Sequence, residues 1–220
     1  MRHRAPSFLV RNGIRKDVYV PFGPAVAPRE TGRLRVLVEG PTNIPMKNVE
    51  AAVRLAREGG ADEVWLMMGC EGPQPPSVDR TFVKVPVEST PVIYRSCDVL
   101  LKLSKVEGMF GPPLEMFHCG GTAITYDVSG SEEYLVSGEN SLVLPMHEEA
   151  AVADAVRALK TSPELLRKLC AGALGTAAAW PDWQSSSREF ERVVAAVSRQ
   201  PSPCHAQTML AIKGASCELR

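Results

Sequence analysis

The 220-residue sequence contains no apolar run approaching the roughly 18 to 20 residues that a bilayer span needs. Its first residues, M-R-H-R-A-P-S-F-L-V-R-N-G, carry positive charge but no apolar core of signal-peptide length, so export is not supported. Net charge is also missing: Lys plus Arg and Asp plus Glu each number 25. A binder of duplex nucleic acid needs a net basic face, so that class is excluded, whereas a local basic pocket for a phosphate is not. The six cysteines (Cys70, Cys97, Cys119, Cys170, Cys204, Cys217) form no C-x-x-C pair, and His3, His118, His147 and His205 show no ligand spacing. Neither a disulfide frame nor a zinc site follows from them. There is no D-x-D triplet and no internal repeat.

What is present is the composition of a soluble globular chain, 45% hydrophobic and 23% charged, in an amount that buries a good core. Residues 1–32 hold Pro6, Pro21, Pro24 and Pro28 and keep no sustained period, so they read as a linker or interdomain segment. From Leu34 onward, strand-length apolar runs alternate with helical patterns. L-R-V-L-V-E, E-V-W-L-M-M, T-F-V-K-V, D-V-L-L-K-L, T-A-I-T-Y and S-L-V-L-P are the strands. Between them, Lys47 to Glu58 sets Val49, Ala52, Val53 and Ala56 on one face. Shorter helices are expected near Ser89 to Arg95, Pro113 to Cys119 and Ser131 to Ser137. The alternation, with apolar strands that lack polar alternation, predicts an α/β fold: one doubly wound, Rossmann-like parallel sheet with helices on both faces. Helices follow over Glu148 to Lys160, from Pro163 through Leu169, and over Ser187 to Arg199, with W-P-D-W as a break. The domain is therefore expected over 33–199, with 200–220 a disordered tail.

Chemistry concentrates in K-V-E-G-M-F-G-P-P-L-E-M-F-H-C-G-G, residues 105 to 121. This loop follows D-V-L-L-K-L, so it lies at the carboxyl edge of a parallel strand, where ligands of open α/β sheets bind. Gly108 and Gly111 are expected to admit a ligand close to the backbone and to take unusual torsions. Pro112 and Pro113 suit a first helical turn, which would leave the amides from Leu114 onward at the positive end of a helix dipole, facing a pyrophosphate. Glu107 and Glu115 bracket the loop with seven residues between them. A carboxylate accepts two hydroxyl bonds at once and so suits the vicinal diol of a sugar or ribose.

The same loop, E-G-M-F-G-P-P-L-E-M-F-H-C-G, resembles the Glu, seven residues, Glu motif of retaining GT-B glycosyltransferases of family four, E-G-F-G-L-P-x-L-E-A-x-A-x-G. Its E-G-M-F-G-P-P-L-E form looks most like the rhamnosyltransferase-like branch. V-P-V-E-S-T-P-V-I-Y-R-S-C-D-V-L-L-K-L-S, D-V-S-G-S-E-E-Y-L-V-S-G-E-N-S-L-V-L-P and R-N-G-I resemble further family segments, so the likeness runs over about residues 10 to 195. The resemblance implies a C-terminal, donor-binding domain in which Glu107 meets the donor sugar, Glu115 the ribose, and the amides of Gly108, Met109 and Phe110 the sugar and phosphate. Two departures stand out. The family's Arg after the first strand is unfilled in E-G-P-T-N-I-P-M-K, which leaves Lys47 as the phosphate ligand. Only eleven residues precede Asn12, so the family's acceptor-binding Rossmann domain is expected to be missing.

These readings give a glycosyltransferase donor domain, with Glu107 and Lys47 catalytic and Glu115, Gly108, Met109, Phe110, Gly111 and Leu114 donor-binding. The expected partners are a nucleoside-diphosphate sugar, a glycan acceptor, and a separate acceptor-domain chain or a second copy. No metal or other cofactor is expected, and the location is cytoplasmic or at the inner face of the membrane. The alternatives are a non-catalytic nucleotide-sugar-binding module, an inactive fragment, and a sugar-nucleotide epimerase. Bland roles are assigned to His118 (packing on its helix), to Glu132 and Glu133 (acidic first turn,), and to Trp65, Trp180 and Trp183 (packing).

Overall fold

A computed structural model describes residues 7–198. Six parallel strands form one sheet: β1 (Arg35–Glu39), β2 (Glu63–Met68), β3 (Arg80–Val83), β4 (Val99–Lys102), β5 (Thr122–Tyr126) and β6 (Ser141–Leu144). Their order is β3-β2-β1-β4-β5-β6. The chain winds outward in one direction from β1 to β3, then crosses back to lay β4 beside β1. Open α/β sheets bind ligands at such a reversal, which here falls at the carboxyl ends of β1 and β4. β2, β4 and β5 are covered on both faces, which explains why no exposed polar position alternates along them.

The helices are α1 (Val49–Glu58), α2 (Thr90–Tyr94), α3 (Gly111–His118), α4 (Glu149–Thr161), α5 (Pro163–Ala179) and α6 (Trp183–Ser198). The stripe Val49, Ala52, Val53 and Ala56 of α1 is buried, as its spacing requires. α5 opens at Pro163, and the Ser162 hydroxyl caps the amide of Leu165 at 3.2 Å. The helix expected near Ser131 shrinks to one 3-10 turn, Ser131–Glu133, with Glu132 and Glu133 in that turn.

Ile14–Trp180 forms one compact unit. The segment from Ile14 to residue 32, expected as linker, belongs to it: Ile14 and Tyr19 are buried in the core, and Arg29 donates to the carbonyl oxygen of Gly120 at 2.7 Å. The described residues up to Gly13 and those from Pro181 make a second unit. Within it α6 starts at Trp183, four residues before the expected Ser187, because the Asp182 carboxylate accepts the amide of Ser185 at 2.6 Å and caps the helix. α6 buries none of its residues, and Trp183, expected to pack, is 59% exposed. The tail expected over 200–220 lies outside the described residues.

Candidate functional site

The site lies where β1 and β4 end. Beyond β1, Gly40 adopts a φ of +143° and its amide bonds the carbonyl of Met67 at 3.0 Å, which turns the chain across the sheet edge. The 3-10 turn Pro45–Lys47 follows, and Asn48, in the left-handed region, separates it from α1. Lys47 thus ends a 3-10 turn and does not lead the helix. The amide of Lys105 bonds the carbonyl of Met46 at 2.8 Å and ties the two loops together. Lys47 Nζ then donates to Glu107 Oε1 at 2.7 Å.

A residue that sequence reasoning passed over joins this pair. Lys102, the last residue of β4, is 4% exposed. Its ammonium donates to the Glu39 carboxylate and, at 3.2 Å, to the Glu39 carbonyl, and stands 3.9 Å from Glu107 Oε1. Two ammonium groups and two carboxylates therefore meet at one sheet edge. Their spacing in sequence carries no signal, and only the register of β1 against β4 brings Glu39 to Lys102.

The loop after β4 is held from the far side. Ser129 Oγ donates to the Glu107 carbonyl at 2.8 Å, and the buried Tyr134 hydroxyl donates to the Phe110 carbonyl. Gly130, at φ +85°, sits so close that a Cβ there would lie 2.2 Å from the Gly108 carbonyl oxygen. Here the structure corrects the expectation for Gly108 and Gly111: neither has a positive φ, and a Cβ on Gly108 would meet nothing within 4 Å. The unusual torsion belongs to Gly130, whose lack of a side chain lets the two loops touch.

The helix N-terminus is also corrected. α3 begins at Gly111, whose amide bonds the Met109 carbonyl at 3.1 Å; Pro112 and Pro113 have no N–H. Leu114 is fully buried and stands at the fourth helical position, where the amide reaches an intrahelical carbonyl. The first turn of α3 therefore offers no free donor to an anion. Free donors lie just upstream, since among the described residues the amides of Gly108, Met109 and Phe110 have no hydrogen-bond partner. Met109 is partly exposed, whereas the Phe110 side chain is buried, so Phe110 contributes backbone only.

Glu115 stands apart from the Lys47–Glu107 pair. Its Oε2 accepts the Tyr94 hydroxyl at 2.9 Å, on α2, and the Tyr19 ring meets Tyr94 edge-on at 6.1 Å. Burial pushes the Glu115 carboxyl above the usual carboxylate range; the Tyr94 bond pulls the other way and the Glu39 charge adds to the rise. Oε2 is thus fixed by the Tyr94 phenol, and the Tyr19 hydroxyl faces the same carboxylate. His118 keeps the packing role expected of it: Nδ1 donates to the Leu114 carbonyl at 2.7 Å, and burial lowers its pKa, which keeps it neutral. Trp65 is fully buried between Arg35 and Arg80, and Trp180 packs edge-on against Tyr134.

Residues 80–173, which hold this loop and both glutamates, match the family model for glycosyl transferases group 1. A search of curated proteins finds no match. Among solved structures, sucrose-phosphate synthase from Thermosynechococcus elongatus is 18% identical, with a TM-score of 0.70 over 86% of this chain and 52% of that one. HepE from Anabaena, solved with UDP-glucose, is 13% identical, with a TM-score of 0.69 over 85% of this chain and 57% of that one. The C-terminal domain of LpcC, a glycosyl transferase group 1 family protein from Francisella tularensis, is 15% identical, with a TM-score of 0.58 over 76% of this chain and 97% of that one. The chain spans about half the length of the first two. No helix of the described residues is long and apolar enough to cross a membrane. The chain thus has the Rossmann-like fold of a GT-B C-terminal domain, and its residues 80–173 match the glycosyl transferases group 1 family.

Proposed function

We propose that this chain is the donor-binding domain of a glycosyltransferase, which holds a nucleoside-diphosphate sugar for transfer to a glycan. The observation that carries the reading is the meeting of Lys47, Glu107 and three unpartnered amides, at Gly108, Met109 and Phe110, on the carboxyl edge of β1 and β4. Lys47 and the amides supply positive charge and donors for the diphosphate, and Glu107 accepts hydroxyls of the sugar. The Glu115 carboxylate, oriented by Tyr94, accepts a ribose hydroxyl. The leaving group of transfer is a nucleoside diphosphate, and donors placed beforehand at its phosphates stabilise the charge that develops there. In this reading Lys47 and the loop amides do so without a metal, and transfer retains the anomeric configuration, hexosyl or rhamnosyl in type. The acceptor is bound by a second domain or chain. HepE was solved with UDP-glucose, which makes a uridine donor the first to try.

Calorimetric titration with UDP, UDP-glucose, dTDP, GDP and ADP tests the reading. One nucleotide is expected to bind, and binding should persist in EDTA. Lys47→Ala should weaken it about 10- to 100-fold, the worth of a charge-assisted hydrogen bond to phosphate. Failure of every nucleotide to bind, or binding indifferent to Lys47, Glu107 and Glu115 alike, refutes it.

A further inference from the structure

An ammonium group is kept almost wholly out of water only where fixed partners compensate for its lost hydration. Lys102 has one such partner in Glu39, which receives two of its three possible donations. Those two bonds satisfy the requirement of burial. They do not account for its position 3.9 Å from Glu107 Oε1, the same oxygen that takes Lys47 at 2.7 Å.

The two lysines differ in freedom. The Lys47 side chain is 25% exposed and rises from a turn, whereas Lys102 is 4% exposed and fixed at the end of a central strand. A diphosphate arriving at this edge competes with Glu107 for the Lys47 ammonium, and a doubly charged group at close range outbids a single carboxylate. Once Lys47 turns away, Glu107 retains one cation within reach, and that cation cannot follow the ligand. We propose that Lys102 is a positioning residue for Glu107: it anchors the Glu107 carboxylate at the sheet edge when Lys47 turns to the donor's phosphates. This rests on the donor-site reading above. It assigns the two lysines distinct tasks, Lys47 to the nucleotide and Lys102 to the geometry of the sugar-facing carboxylate. Glu39, although acidic and beside an anion site, then serves to hold Lys102 in place.

The test combines two measurements on the full chain. In the first, the Glu39→Gln variant with and without Lys102→Met is titrated with UDP and with UDP-glucose, so that no carboxylate is left stranded beside the anion site. UDP affinity should stay within about twofold, while UDP-glucose affinity drops about fivefold or more, because only the sugar uses Glu107. A merely structural Lys102 would weaken both ligands equally, and that result overturns the proposal. The second measurement needs no ligand: a thermal double-mutant cycle between Lys102→Met and Glu107→Gln. It is run in a Glu39→Gln background, so that no buried carboxylate is stranded and the variants fold. The midpoint shift caused by Lys102→Met should be smaller once Glu107 is already Gln; additive shifts overturn the proposal. If the wild-type chain bound neither nucleotide, the donor-site reading would fall, and the cycle would still decide whether Lys102 holds Glu107.

Discussion

Gly130→Ala is the most searching single substitution on the scaffold of the site. Two separate effects add. Gly130 has φ +85°, and an L-residue in the left-handed region costs about 1–2 kcal/mol. The new Cβ would lie 2.2 Å from the Gly108 carbonyl oxygen, a backbone atom that no rotamer change can move aside. An ordinary carbon–oxygen contact is about 3.3 Å, so loop 107–110 must retreat by about 1 Å. Glu107 precedes Gly108 and is held by Ser129, the neighbour of the substituted residue, so the displacement reaches the carboxylate directly. A shift of about 1 Å in a positioned group is worth about 100-fold in a reaction and, by the same logic, an order of magnitude in sugar recognition. Gly138→Ala supplies the control. Gly138 has φ +81°, but a Cβ there meets nothing within 4 Å, so it bears the torsional cost alone. With about 2–4 °C lost per kcal/mol in a chain of this size, Gly138→Ala should lower the melting midpoint by about 2–8 °C and leave nucleotide titrations unchanged. Gly130→Ala should fall further and lose UDP-glucose binding. If the two variants were indistinguishable in midpoint and in binding, the close approach of the two loops would not matter and the reasoning would be wrong.

Glu115 gives a pH dependence. Its folded pKa is raised, so the folded state binds the proton more tightly than the unfolded one, and stability falls as pH rises from the unfolded carboxylate value through the folded one. Glu115→Gln should therefore gain in melting midpoint relative to wild type at pH 7 compared with pH 4, while losing nucleotide affinity; a difference independent of pH refutes the burial argument. Tyr94→Phe removes the bond that lowers this pKa and should destabilise more at pH 7 than at pH 4, read by the same melts. Asn140, 3% exposed, donates to the Tyr134 carbonyl and Thr176 Oγ1 and accepts from the Val136 amide. Asn140→Ala strands these groups and should cost about 2–4 kcal/mol in denaturant unfolding, a small effect counting against the network. The exposed Phe8, Leu9, Trp183, Phe190 and Val194 of the smaller unit should make sedimentation concentration-dependent, whereas an ideal monomer at all concentrations would show that they need no cover.

The strands were legible because burial on both faces leaves short, mostly apolar runs without polar alternation, and β2 and β5 fall where E-V-W-L-M-M and T-A-I-T-Y place them. That Glu107 and Lys47 lie at one sheet edge was legible from the loop after β4 and the basic residue after β1. Lys102 was not, since the lysine next to last in D-V-L-L-K-L reads as an edge residue turned to solvent; its partner is 63 positions away, and only strand order places the two together. The expected donor at Leu114 failed for a local reason. Placing the helix start at Gly111 rather than Pro113 moves Leu114 from the open first turn into the bonded part of α3. The start of α6 was hidden in W-P-D-W, where proline suggested a break and Asp182 instead supplied a cap.

The reversal of strand order between β3 and β4 has a further consequence for how the protein is assembled. Lys47 and Glu107 are 60 positions apart, and their meeting depends on β4 passing β3 and β2 to zip onto β1. Closing a loop of that length is slow relative to forming α4 or α5, so helical signal should appear on refolding before the seam closes. A chain stalled at that stage would look helical in circular dichroism yet lack the meeting of Lys47 and Glu107; on the donor-site proposal it would bind no nucleotide, and ligand added during refolding would act as a latch on the β1–β4 seam rather than as a seed for it.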